Sequence, residues 1–386
     1  MKIMFLCGSL EPGRDGVGDY IRRLAVELSM QGYIVAAAAL YDNHVTDIIE
    51  GFEEIESTRF WILRLPTTLG DRQRFKNIAG WIKKNSPSYI SFQYVGFGFH
   101  RYGLPWNLVL LLKKAIGNIK LHIMLHELWC GMPAEAGGKE KLLGAIQKKF
   151  LPFMLNILKP AEISTSNRFY AAELKRIHVK ANVVPIFGNI PLDDLGNDSD
   201  WQQLISTANL SSLVVAPGNW LVLGFFGAIY RCPGLIELLQ SAANAAAKTG
   251  LKLGLLAFGN NGQKDIEPIA KQIQGAAYWQ TGILPAAMIN RIVGLVNIGV
   301  ITTPANRVNK SGTAAALLER GVPVLVSPND DTYNKKTMKH QGIYQVTEPM
   351  DVLDALAAKG HLPAAGRLTQ VVKFYSDLGQ IAPVAN

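Results

Sequence analysis

Short apolar runs alternate with stretches of helical periodicity twice over in this chain, and that pattern narrows its possible folds more than any other feature. An apolar run of strand length, followed by an amphipathic helix and another apolar run, makes a parallel crossover unit. The first series predicts strands at 2–8, 33–40, 61–66, 89–94, 121–126, 162–166 and 183–187, with helices that include 17–31, 72–85 and 139–158. The second predicts strands at 221–229, 253–258, 278–281, 298–302 and 323–326, with helices at 234–249, 286–296, 313–320 and 350–358. A final amphipathic segment covers 366–378. Polarity rises across 193–201, which reads as a linker or a long surface segment. The expected fold class is α/β, with two Rossmann-like domains, 1–192 and 193–365, facing across a cleft of the kind where ligands bind.

Composition is compatible with this. The chain has 386 residues, 48% of them hydrophobic and 18% charged, enough apolar side chains for two cores and too many for disorder. No apolar run is long enough for a membrane span. The opening KIMFLCG reads as a buried strand and not as a signal peptide, so a cytoplasmic location is expected. Cys7, Cys130 and Cys232 are far apart and form neither a metal-ligand spacing nor a disulfide framework. The histidines and acids show no H-E-x-x-H or comparable spacing, and no bound metal is expected. The net charge of +9 fits a phosphorylated ligand, an anionic membrane surface or nucleic acid. No zinc finger, RNP signature or basic helix–turn–helix pattern is present, so nucleic acid is not an expected partner.

Four loops and segments carry the candidate chemistry. After the first strand comes GSLEPGRDGVGDY, where Gly16 and Gly18 lead into a helix whose positive end suits a phosphate or a sugar hydroxyl. Gly16-Val17-Gly18 also begins like a dinucleotide fingerprint, with Asp42 ending the second strand. Ile21, however, stands where the third glycine belongs, and Gly16 lies too far from the strand end. No G-x-x-x-x-G-K-[ST] motif occurs. The second loop, Asn309-Lys310-Ser311-Gly312-Thr313, follows a strand and opens a helix. Its N–H groups, hydroxyls and ammonium suit a diphosphate, and an ordinary N-cap beside a solvated lysine is the plainer alternative. Arg231 follows another strand at the same kind of edge. His126 and Glu127 end a first-domain strand, and a histidine there is often only a hydrogen-bonded structural residue.

The loop FQYVGFGFHRYGLPW is aromatic and glycine-rich; it either stacks on a sugar or packs beneath a cleft. Segment 139–159 places five lysines among apolar residues, with Pro152 interrupting or restarting the helix. It reads as a core-facing helix with a solvated lysine face, or as a peripheral membrane contact.

In the order of its features the chain resembles the retaining GT-B glycosyltransferases of the glycogen-synthase-like and family-4-like group over nearly its whole length. LHIMLHELW resembles that group's strand ending in a His–acid pair, and VVPIFGNIP its "VIPNGVD" turn. LGFFGAIYRCPGLIELLQSA resembles "GRLxxxKGxxxLIxA", LGLLAFGNNG resembles "LxIxGxG", and NKSGTAAALLERGVPVLVS resembles "EGFGLPxLEAMACGxPVV". The group's E-x7-E glutamates fall on Val308 and Ala316, and its phosphate-binding Arg and Lys fall on Ala228 and Pro233, with Arg231 and Lys310 as nearby bases.

The resemblance implies a metal-independent transferase with no cofactor, using a nucleoside-diphosphate sugar donor and a sugar, glycan or lipid-linked acceptor. Its C-terminal domain would hold the donor and its N-terminal domain the acceptor, with the last helix, 366–386, crossing back to the first domain. His126 and Glu127 would then line the sugar pocket. If the reaction inverts, Asp19, Glu11, His126 and Glu127 are the candidate bases. Inverting transferases, nucleotide-sugar epimerases and non-catalytic sugar-nucleotide binders are the alternatives.

Overall fold

The opening apolar run forms strand β1 (Lys2–Cys7), buried almost throughout. It is followed by β2 (Ile34–Asp42), β3 (Ile49–Ile55), β4 (Thr58–Pro66), β5 (Tyr89–Tyr94), β6 (Lys120–Leu125), β7 (Glu162–Thr165) and β8 (Asn182–Val183). These make one eight-stranded sheet in the order β3-β4-β2-β1-β5-β6-β7-β8. Every pair is parallel except β3–β4, an antiparallel hairpin at the edge. The structure is a computed structural model. It describes all residues except 56, 133–135, 192–194, 230–233, 261–265, 304–307, 309, 327–341, 363–365 and 381–386. The helices of this part are α1 (Gly16–Met30), α2 (Asp71–Asn85), α3 (Trp106–Ile116), α4 (Gly138–Leu158) and α5 (Arg168–Arg176).

The second series supplies β9 (Trp220–Phe226), β10 (Lys252–Phe258), β11 (Ala277–Gln280), β12 (Ile298–Ile301), β13 (Val324–Val326) and β14 (Ile343–Gln345), all parallel, in the order β11-β10-β9-β12-β13-β14. Its helices are α6 (Asp198–Thr207), α7 (Ser211–Val215), α8 (Leu235–Lys248), α9 (Glu267–Ala270), α10 (Ala286–Leu295), α11 (Gly312–Glu319) and α12 (Pro349–Ala358). Side chains alternate across each sheet, as a strand period of two requires. In β9, Leu221, Leu223 and Phe225 pack with α8 and α12, whereas Val222 faces the cluster built by α6, α10 and α11. Gly224 sits on the latter face because a Cβ there would lie 2.7 Å from the Val296 methyls. The chain thus forms two compact α/β units, Met1–Pro185 with Leu368–Asn386, and Ile186–Arg367.

The last helix, α13 (Arg367–Gln380), packs on the first sheet. Val371, Val372, Tyr375 and Leu378 are buried, the Tyr375 ring meets Phe5 edge-on at 5.3 Å, and the Tyr89 hydroxyl donates to the Tyr375 carbonyl at 2.7 Å. No helix among the described residues is long and apolar enough to cross a membrane.

The structure corrects several sequence expectations. Strand β3 is absent from the sequence reading because three glutamates, Glu50, Glu53 and Glu54, interrupt its apolar character; an edge strand with one solvated face tolerates them. In the stretch 193–201, expected as a linker or a long surface segment, residues 195–200 are exposed but Asn197 already caps α6 by accepting the Asp200 N–H at 2.8 Å, and Leu204 and Ile205 farther along that helix enter the second core. Pro152 neither ends nor restarts its helix, since α4 runs unbroken from Gly138 to Leu158. The strand expected at 221–229 stops at Phe226, where Gly227 turns with φ +73°. The strand expected at 183–187 keeps only Asn182–Val183.

Two helix glycines predict opposite stability effects. A Cβ at Gly80, inside α2, meets nothing within 4 Å, so Gly80→Ala should stabilise by about 0.5–1 kcal/mol. A Cβ at Gly144, inside α4, would lie 2.0 Å from the Cys130 carbonyl oxygen, so Gly144→Ala should destabilise by about 1–3 kcal/mol. Urea midpoints of the two variants check both signs.

Candidate functional site

Ligands of open parallel sheets bind beyond the strand C-termini where the strand order reverses. In the first sheet that point lies between β1 and β5, and in the second between β9 and β12.

In the first unit the β1 loop is held by a buried carboxylate. Asp42, fully buried at the end of β2, accepts the Ser9 hydroxyl at 3.1 Å, the Leu10 N–H at 3.1 Å and the His44 N–H at 3.0 Å. Arg64 of β4 donates to Asp42 at 2.7 Å and to Glu11 at 2.5 Å. Burial alone would raise the Asp42 pKa. The Arg64 hydrogen bond and the Leu10 and His44 N–H groups outweigh it and hold the carboxyl below its ordinary value. Asp42 is therefore committed to the loop, which removes it as the ribose partner that a dinucleotide site needs. On the other side, Gly8 allows contact with the β5 loop, because a Cβ there would lie 3.0 Å from the Gly98 carbonyl oxygen.

Gly16 and Gly18 do not precede the helix, as the sequence suggests; they lie in its first turn, with Asp15 as N-cap. The Asp15 carboxylate accepts the Gly18 N–H at 2.6 Å. The two glycines differ. A Cβ at Gly18 would lie 2.9 Å from the Ser9 carbonyl oxygen, so this glycine lets the helix seat on the β1 loop, whereas a Cβ at Gly16 meets nothing within 4 Å. Asp19 accepts the Gly13 N–H at 3.0 Å and lies 3.8 Å from Arg22, which itself forks onto Glu53. Burial raises the Asp19 pKa against the lowering effect of these partners.

His126 follows β6 and is 8% exposed, with its ring edge-on to Tyr20 at 5.4 Å. It belongs to a polar chain that sequence reasoning misses. Gln93 Nε2 donates to the Ser91 hydroxyl at 2.6 Å and to the Tyr375 hydroxyl at 3.0 Å, and Gln93 Oε1 then accepts the His126 Nε2–H at 2.8 Å. Nε2 is thus not the atom that His126 can offer a ligand. Ser91 in turn meets His122 Nδ1 at 2.8 Å. A glutamine and a serine inside the apolar strand YISFQY were the available signal, since buried polar groups need partners. Glu127 is half-buried beside His126.

The second unit brings two loops together at its own reversal point. A Cβ at Gly227, after β9, would lie 3.0 Å from the Thr313 methyl at the start of α11. Ser311 caps α11, accepting the Ala314 N–H at 3.2 Å and meeting the Thr313 hydroxyl at 2.8 Å. Gly312 is not required by packing, because the nearest atom to its Cβ position is Asn189 Nδ2 at 4.0 Å. Lys310 is half-buried next to this cap. Arg231 and Asn309 lie outside the described residues.

Val308 and Ala316, which stand where the E-x7-E glutamates would, are both buried, Val308 in the second unit's apolar cluster and Ala316 against Gly188. The nearest acid on α11 is Glu319, and its carboxylate accepts the Gly188 N–H at 3.0 and 3.1 Å. Arg320 donates to the carbonyls of Ile190 and Pro191 at 3.0 and 3.1 Å. The C-terminal end of α11 therefore fastens the segment 188–191.

No protein-family model and no curated protein matches the chain. Solved structures do. A glycosyltransferase from Rickettsia africae aligns with TM-score 0.54 at 11% identity, over 98% of this chain and 93% of its own. An alpha,alpha-trehalose 6-phosphate synthase from Burkholderia multivorans aligns with TM-score 0.50 at 12% identity, over 98% and 94%. A UDP-GlcNAc 2-epimerase from Neisseria meningitidis, bound to UDP-GlcNAc, aligns with TM-score 0.50 at 10% identity, over 98% and 99%. The fold is GT-B.

The polar chain predicts an acid response. Burial, with a smaller contribution from His126, lowers the His122 pKa to about 3, against an ordinary value of about 6.5. Below about 6.5 the unfolded chain takes up a proton that the folded chain refuses, so stability is full above that pH and falls as pH drops toward about 3. Urea midpoints across this window should fall for the wild type and fall less for His122→Gln.

Proposed function

We propose that this protein is a glycosyltransferase that moves a sugar from a nucleoside-diphosphate sugar to a sugar, glycan or lipid-linked acceptor, with retention and without a metal. The observation that carries the reading is the GT-B likeness along 98% of the chain to solved glycosyltransferases. The loop geometry supports it further, because each sheet ends, at its reversal point, in closely approaching loops beside a helix N-terminus.

Lys310, Ser311, Gly312 and Thr313, with Asn309 and Arg231, are assigned to the donor diphosphate. The Lys310 ammonium and the first N–H groups of α11 would offset charge on the departing nucleotide. Gly16 and the α1 N-terminus, with His126 and Glu127, are assigned to the sugar and acceptor hydroxyls. Asp19 would act as base only in an inverting reaction; its raised pKa favours proton uptake.

One observation favours a second reading, a sugar-nucleotide binder without transfer. The positions of the paired glutamates are occupied by the buried, uncharged side chains of Val308 and Ala316. Thermal-shift screening of nucleotide sugars, followed by turnover of the stabilising donor, separates the two. Binding with neither transfer nor donor hydrolysis would select the binder.

Gly16→Val should abolish transfer yet unfold like the wild type, since its Cβ position is open. Gly18→Val should instead lose stability. Full transfer in Gly16→Val would take the β1 loop out of the reaction. Lys310→Ala should weaken nucleoside-diphosphate binding by about 1.5–3 kcal/mol, read by calorimetry. Asp19→Asn should lose about a hundred-fold in turnover only if the product anomer, read by NMR, is inverted.

A further inference from the structure

Helices α3 and α4 leave an apolar face open to solvent. Trp106 is 45% exposed, Leu110 49%, Leu142 66%, Ile146 44% and Phe153 37%. The Trp106 ring lies 4.9 Å from Phe153 and 4.5 Å from Phe150, so both helices contribute to one patch. Leu142, Ile146, Lys149 and Phe153 recur at helical spacing and form a single outward stripe of α4. Packing does not account for that stripe. The opposite side of α4 already supplies Phe150, Leu151, Met154, Leu155 and Leu158 to the core.

The charge carried by these two helices is predominantly positive, with Asp71 of α2 reaching Asn107 at one edge. Lys113 and Lys114 end α3, and Lys139, Lys141, Lys148 and Lys149 lie on α4. The two helices carry one carboxylate, Glu140, and it is turned toward the Gly131 N–H at 3.4 Å. Lys114, Lys139, Lys141 and Lys149 are exposed.

An occupant must match both features. A second copy of the chain, paired through a two-fold, would set the same lysines against one another. A nucleic acid would answer the lysines and leave the apolar side chains in water. A bilayer with anionic headgroups answers both: leucine, isoleucine and phenylalanine enter the acyl boundary, the indole sits at headgroup level, and the ammonium groups meet lipid phosphates. We propose that the α3–α4 face docks the protein on membranes bearing anionic phospholipid. The sequence pattern at 139–159 names only half of this surface; Trp106, Leu110 and the α3 lysines complete it. The proposal does not depend on the transferase reading, because it uses neither candidate loop.

Co-sedimentation of the full chain with vesicles tests it. The protein should pellet with mixed phosphatidylglycerol–phosphatidylcholine vesicles, remain in solution with phosphatidylcholine vesicles, and be released by high salt. Leu110→Gln with Ile146→Gln, and separately Lys114→Glu with Lys149→Glu, should each lower the partition coefficient about ten-fold or more. All four positions are exposed or rim positions, and unchanged melting curves verify the fold. Lys248→Glu with Lys252→Glu, the same charge change in the second unit, should leave binding as it is. Failure of the wild type to bind, equal binding to neutral vesicles, or wild-type binding by both face variants would overturn the proposal. So would a dimer in sedimentation velocity that Leu110→Gln with Ile146→Gln dissolves, because the face would then belong to a second copy.

Discussion

A carboxylate removed from water must have its charge answered on the spot, and Asp42 is such a group. Its two oxygens take the Ser9 hydroxyl, the Leu10 and His44 N–H groups and the Arg64 guanidinium. Those partners come from the β1 loop, the β2 end and β4, so one charge ties three neighbouring strand ends into a fixed relation. Arg64 extends the tie to Glu11, and Asp19 closes the loop from the helix side through the Gly13 N–H. Removing either partner would leave a buried charge uncompensated, which is far costlier than losing an exposed pair. The start of α1 is held for the same reason. Gly18 lets it lie against the Ser9 carbonyl, and Asp15 caps it.

The second unit brings its loops together through neutral groups among the described residues. Ser311 caps α11 with a neutral hydroxyl that also meets the Thr313 hydroxyl, and Gly227 lets the β9 loop come up to that cap. The charged residues of α11 lie at its other end. Glu319 and Arg320 hold backbone N–H and carbonyl groups of 188–191, and Gly188 has no room for a side chain because its Cβ would lie 2.7 Å from Ala316 Cα. One helix thus has two separable tasks. Its N-terminus, capped by Ser311, meets the β9 loop, and its C-terminus holds the segment 188–191.

The alternation of apolar runs made both sheets legible, because parallel strands are buried on both faces and their periodicity is uninterrupted. What escaped were elements whose stability comes from tertiary context. Strand β3 is polar and exists as the edge partner of β4, and α3 is hidden behind the aromatic loop that leads into Trp106. At the candidate site, a strand end such as His126 and helix starts such as Asp19 and Ser311 could be read from spacing. Their partners could not. Nothing in local sequence ties Gln93 to Tyr375, which lies 282 residues away. The two glycines of G-V-G look equivalent in sequence. Only the position of the Ser9 carbonyl separates Gly18, needed for packing, from Gly16, whose Cβ direction is open.

The Gln93–Tyr375 contact also explains why the last helix matters to the strand ends of the first unit. A buried glutamine amide has two donors and an acceptor oxygen to satisfy, and an unsatisfied one costs about 1–3 kcal/mol. Ser91 lies within β5 and His126 follows β6 of the same sheet, but the Tyr375 hydroxyl is supplied by α13. In this arrangement the Gln93 Nε2 faces the Ser91 and Tyr375 hydroxyls while its oxygen faces His126, and Tyr20 of α1 meets the imidazole edge-on. His126 is oriented from both ends of the chain, which a histidine serving only to cap its own strand would not require.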